Sequence, residues 1–121
     1  MYAYTDLNVY RISMDLVMDI YKATADFPKD EVYGLISQMR RCSVSIPSNI
    51  AEGSGRHSTK EFIQFLFTAN ASLSELETQV EISRRLGYIP DTAMLVESIK
   101  RIRTMLLNLI KSLKNKLTEI N

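Results

Sequence analysis

Cysteine and histidine each occur once in the 121-residue chain, as Cys42 and His57. A lone cysteine excludes an internal disulfide and a thiolate metal cluster, and a lone histidine excludes any mechanism that needs two. With Gly 4 and Pro 3, few tight turns are available, which argues against an all-β sandwich. No apolar run nears the roughly 18 residues of a membrane span, and the opening MYAYTDLNVYRISMDL does not read as a signal peptide. What is present is an ordinary globular composition, 45% hydrophobic and 24% charged, on a length that suits one domain over 1–121. The expectation is a soluble, cytoplasmic, helix-rich protein that does not engage a membrane.

The net charge of +1 is unevenly spread. Residues 1–30 lean acidic, with Asp6, Asp15, Asp19, Asp26 and Asp30 against Arg11, Lys22 and Lys29. Residues 91–121 lean basic, with Lys100, Arg101, Arg103, Lys111, Lys114 and Lys116 against Asp91, Glu97 and Glu119. Such an imbalance marks either an anion-binding surface or a merely polar one.

Apolar periodicity predicts four helices, over about 6–25, 31–52, 59–86 and 92–118. In the first, Val9, Ile12, Leu16, Ile20 and Ala23 form one row beside Tyr10, Met14, Val17 and Tyr21; Phe27-Pro28 ends it. The second starts near Asp30 as an N-cap and carries Leu35, Met39, Cys42, Ile46 and Ile50. Pro47 lies inside that run, removes the bond to the Ser43 carbonyl and is expected to kink the helix; Gly53 is read as its stop. Ser58 and Glu61 fit a capping box for the third helix, whose seam is Phe62, Leu66, Ala69, Leu73, Leu76 and Val80. Asp91 or Thr92 caps the fourth, with Leu95, Ile99, Ile102, Leu106, Leu109 and Leu113 at the same spacing. Short connections then give an all-α, up-down-up-down antiparallel four-helix bundle.

Helix three carries Ile63, Phe65 and Phe67 beyond its seam, and helix four adds Met94, Val96, Met105, Leu107, Ile110 and Leu117. This surplus is read as a subunit interface, against the plainer alternative of a wide core with scattered exposed side chains.

Three stretches resemble the four-helix-bundle proteins named for 23S ribosomal RNA intervening sequences. They are Phe27-Pro28-Lys29-Asp30-Glu31 with Gly34-Leu35 and Ser37 to Arg41, the run Ser45-Ile46-Pro47-Ser48-Asn49-Ile50-Ala51-Glu52-Gly53, and Ser72 to Thr78 followed by Leu86-Gly87-Tyr88. The likeness spans about residues 6 to 90; helix four shares only its pattern. Two departures stand out: Tyr10 where the family usually has tryptophan, and Asn70-Ala71 where it has a basic residue and glycine. The resemblance implies a homopentameric helical bundle. One branch of the family serves diversity-generating retroelements beside a reverse transcriptase and nucleic acid, so both are implied as partners. It implies no catalytic residues.

The residues themselves offer little for catalysis. Glu75, Glu77 and Glu81 do not share a helix face, so no carboxylate metal site is expected, and no cofactor. Cys42 falls on an apolar row and His57 lacks an orienting carboxylate. The corner Gly53 to Lys60 lacks the spacing of a phosphate loop, but Arg56 and Lys60 beside a helix start make it a candidate anion site. Asn49 and Glu52 are read as structural, satisfying backbone freed by Pro47 or pairing with Arg40, Arg41 or another subunit; a ligand site is the alternative. Lys100, Arg103, Lys111 and Lys114 share a stripe with Leu107, suited to a phosphate backbone when repeated around a ring. The composite expectation is a non-enzymatic, homo-oligomeric scaffold contacting RNA or DNA. The alternative is a bundle binding a small molecule or anion at the Gly53–Lys60 corner and the Asn49/Glu52 kink.

Overall fold

The computed structural model describes residues 4–120, so residues 1–3 and 121 of the expected 1–121 domain lie outside the described residues. Four helices follow: α1 (Asn8–Thr24), α2 (Leu35–Ser54), α3 (Thr59–Arg85) and α4 (Ala93–Ile120). Short 3-10 turns at Tyr4–Asp6 and Lys29–Glu31 precede α1 and α2.

Cross-helix pairs show the alternating direction of the chain. Ser83 of α3 reaches Met39 early in α2, while Ser72 meets Ser45 and Phe65 lies against Gly53, so α2 and α3 run antiparallel. Arg103 meets Glu77 and Lys114 covers Phe67, so α3 and α4 do too. Arg40 bonds Thr24, and Tyr10 and Met14 share a groove with Pro47 and Ala51, which sets α1 against α2 in the same sense. α1 packs on α4 to close the bundle. Each helix turns one apolar stripe inward: Leu16 and Ile20, Ile46 and Ile50, Leu66 and Leu73, Ile99 and Leu106 are among the side chains fully removed from water.

The helix ends follow local chemistry. Ser58 Oγ accepts the Glu61 N–H at 3.1 Å, giving α3 the cap expected of it. Thr92 holds the cap position of α4, its carbonyl taking the Val96 N–H, while Asp91 Oδ1 accepts the Ala93 N–H at 2.9 Å. The expected start of α2 at Asp30 is displaced. Residues 29–31 form a separate turn, and Glu31 Oε1 accepts the Leu35 N–H at 3.2 Å, so Glu31 rather than Asp30 serves α2. The other Glu31 oxygen accepts the Tyr88 hydroxyl at 3.0 Å, and Phe27 packs on the Tyr88 ring, tying the two connections at that end. The Glu31 carboxylate also pushes the Tyr88 phenol above its ordinary range, because ionising it would break that bond.

Pro47 sits within α2, which continues past it to Ser54. Gly53 is therefore not a stop. A Cβ there would lie 2.5 Å from the Phe65 Cβ and 3.0 Å from a Phe62 ring carbon, so glycine is what allows α2 and α3 to approach.

The apolar surplus assigned to a subunit interface is largely absorbed by one chain. Ile63 and Ile110 are core residues, and Val96, Met105 and Leu117 pack against the core. Only Phe67, Met94 and Leu107 of that set are exposed, at 40%, 83% and 44%. The geometric reason is that neighbouring helices reach further around α3 and α4 than a narrow seam requires. Apolar surface remains where the sequence did not place it, on the α1/α2 side, as Met14, Met18, Tyr21 and Val44.

Gly53→Ala tests the close approach. Alanine is the better helix former, yet the variant is expected to lose about 1–3 kcal/mol in urea unfolding because Phe65 Cβ cannot move independently of the α3 backbone.

Candidate functional site

The two basic features of the sequence meet at one end of the bundle. α3 begins there, α2 ends there, and the last turns of α4 arrive alongside. A cleft of about 250 Å³ is lined by Gly53, Ser54, Arg56, His57, Ser58, Thr59 and Phe62 from the corner and by Leu113 and Lys116 from α4. Lys60 is exposed one turn into α3, and Lys111 and Lys114 lie on α4 just before Lys116. Arg56, His57, Lys60, Lys111, Lys114 and Lys116 thus gather around one end, although Lys60 does not line the cleft itself. Lys116 was not among the singled-out residues; its place on the cleft depends on α4 running antiparallel to α3, which sequence spacing does not display.

Several of these cations are already engaged. Arg56 pairs with Glu52 at 3.1 Å, one helical turn back, and its guanidinium carbon lies 4.7 Å from the centroid of the Phe65 ring. The Lys114 ammonium lies 5.1 Å from the centroid of Phe67. These are cation–π contacts, in which the ring face attracts the charge.

The stripe expected along α4 divides into two. Arg103 is half-buried, its guanidinium 2.8 Å from Glu77 and 3.4 Å from the Ser74 hydroxyl, so its charge is spent joining α4 to α3. Lys100 and Lys111 are exposed and make no ion pair among the described residues. Lys111 lies toward the corner end, whereas Lys100 lies near the start of α4, away from it. At the opposite end Glu81 is clamped by Arg84 at 2.8 Å and Arg85 at 2.9 Å, which hold its carboxyl down at about 2. Those two arginines are correspondingly committed.

The polar residues around Pro47 bond to partners other than those expected. Asn49 Nδ2 donates to the Ser45 carbonyl at 2.7 Å and the Ser45 hydroxyl at 3.0 Å, not to the Ser43 carbonyl that proline leaves open. Ser45 in turn shares a 2.9 Å bond with the Ser72 hydroxyl. Glu52 pairs with Arg56 rather than with Arg40 or Arg41; Arg40 lies over the Tyr21 ring and bonds Thr24. Cys42 extends the lattice, its thiol donating to the Ser72 carbonyl at 2.9 Å with a Glu75 oxygen at 3.6 Å. Burial, reinforced by the Glu75 charge, pushes this thiol up to about 12. Among the described residues no group of three His, Cys, Asp or Glu side chains is placed to hold a metal ion.

On the α4-facing flank of α3, Asn70 keeps a buried side-chain oxygen without a hydrogen-bond partner. Tyr10 packs against the core as a large aromatic, its ring edge-on to Tyr4. Among the described residues no helix is long and apolar enough to cross a membrane.

Fold and surface together define a small all-α protein, a four-helix bundle with a basic cleft at one end. The family model described as 23S rRNA-intervening sequence protein matches residues 5–108, and the chain belongs to that family. The match enters α4 well beyond the residue 90 at which the visible likeness stopped, and leaves Lys111, Lys114 and Lys116 outside it. No curated protein matches the chain.

The buried, hydrogen-bonded thiol gives a direct check. Cys42 is expected to react with a thiol reagent at pH 8 only as the protein unfolds, so labelling time courses should accelerate by orders of magnitude in denaturing urea. Fast labelling of the native protein would contradict the Cys42–Ser72–Glu75 arrangement.

Proposed function

We propose that this protein is a non-enzymatic interaction module of the cytoplasm that assembles with copies of itself and contacts RNA or DNA through its basic end. Five copies is the number that the family resemblance implies, and a reverse transcriptase is the protein partner it implies. The observation that carries the nucleic-acid reading is the convergence of the Gly53–Lys60 corner with the end of α4, which brings Arg56, His57 and Lys116 to one cleft with Lys60, Lys111 and Lys114 at the same end of the bundle. Such a surface neutralises successive phosphates and releases their counterions. Arg103 is assigned a structural role instead, as the partner of Glu77.

Assembly is supported by apolar side chains on two separate sides: Met14, Met18, Tyr21 and Val44 along α1/α2, and Met94 and Leu107 on α4. Two unlike patches suit a head-to-tail contact, which closes into a ring when the rotation allows. The absence of enzymatic activity is supported by the inert thiol of Cys42 and by the engagement of Asn49 and Glu52 in structural bonds.

A second reading is favoured by the cleft alone, which at about 250 Å³ and with Arg56, His57 and Lys116 on its walls has room for a small anion.

Light scattering is expected to give a mass several times 13.8 kDa, falling toward one chain when a charge enters the α1 patch in Met18→Asp. A wild-type mass of one chain would end the assembly reading. For nucleic acid, affinity is expected to fall steeply with salt. Lys111→Ala with Lys114→Ala should lower the log–log salt slope by about 2, and Lys100→Ala with Arg103→Ala by less. Absence of binding at low salt would remove this reading, and retention of inorganic phosphate by the same protein would favour the second.

A further inference from the structure

We propose that the nucleic acid taken by the basic end is single-stranded, with a base stacking on the ring of Phe67 at the edge of the outer face of α3. The inference rests on the nucleic-acid reading above and adds to it the class of strand. Its starting point is the pairing of cations with rings: Lys114 over Phe67 on one flank of α3, Arg56 over Phe65 on the other. Phe65 and Phe67 are two positions apart, so the helix turns them about 200° from each other. Between them the outer face exposes Lys60, Gln64 and Thr68, together with the acid Glu61, which lies next to the Ser58 cap.

Phe67 is the ring that has no packing explanation. It lies outside the buried seam of α3, is 40% exposed, and has a lysine ammonium over its ring. A lysine has a flexible four-carbon stem, so its ammonium can move from the ring to a phosphate while a base takes its place on the ring face. One pair then supplies both halves of single-strand recognition, a cation for the backbone and a flat surface for the base. Duplex presents phosphates but keeps its bases stacked inside, so Phe67 would have nothing to hold. Phe65 is half-buried against Gly53 and contributes chiefly by carrying Arg56.

The test compares a fluorescent thymidine oligonucleotide of about twenty bases with a mixed-sequence duplex of similar length, by anisotropy at one low salt concentration. Wild-type protein is expected to bind the single strand more tightly. Phe67→Leu, which keeps the apolar bulk but has no ring, should weaken single-strand binding by roughly tenfold and leave duplex binding unchanged. Phe67→Tyr should retain single-strand binding, which separates loss of the ring from loss of the fold. Equal affinity for both strands, or a Phe67→Leu variant as good as wild type, overturns the single-strand inference and leaves the charge reading in place. Failure of wild-type protein to bind either probe overturns both.

Discussion

Two helices of this bundle approach closely at Gly53, and much of the remaining structure depends on it. Because no Cβ intervenes, the end of α2 can lie directly against Phe62 and Phe65 of α3. The helices that meet there share the most extensive packing in the molecule. Their contact is lined with polar as well as apolar groups: Ser45 with Ser72, Cys42 with the Ser72 carbonyl, Ser83 with Met39. These bonds have direction, and burying them unpaired would be costly, so they specify the register of α2 on α3 in a way that interchangeable leucines do not. The same close approach turns the chain sharply at Gly55–Ser58 and brings Arg56 over Phe65. The basic end is therefore a by-product of how tightly the two helices pack.

Much of the architecture is legible in the sequence because amphipathic helices declare their faces. The seams of α3 and α4, the Ser58 cap and the passage of α2 through Pro47 all follow from spacing and from the chemistry of single residues. What periodicity does not state is how far a neighbour wraps around a helix. Ile63 and Ile110 sit outside the narrow seam on paper yet are buried in one chain, and Met14 and Tyr21 of α1, which periodicity puts on its core face, are exposed. Glu31 was missed for another reason. Its two oxygens serve partners four and fifty-seven positions away, Leu35 and Tyr88, and only the first lies within reach of a local pattern.

The candidate site was half legible. Arg56, Lys60, Lys111 and Lys114 were recognisable as basic residues on two separate segments, but their convergence depends on α4 returning to the α2–α3 corner. Arg103 was grouped with them because helical spacing places it on the same stripe. Its partner Glu77 lies on another helix, so the pairing that withdraws its charge was invisible. Charge read along one helix counts cations; only the packed structure separates those that are free from those already used.

Cys42 is the one cysteine, and its sulfur is enclosed between α2 and α3 with its proton held. That leaves the exterior a blank canvas for site-directed spectroscopy. A cysteine introduced on any outward face would outcompete the native one for a maleimide dye or spin label, so distances between copies, or from a chosen helix to a bound strand, become measurable without first deleting a native residue.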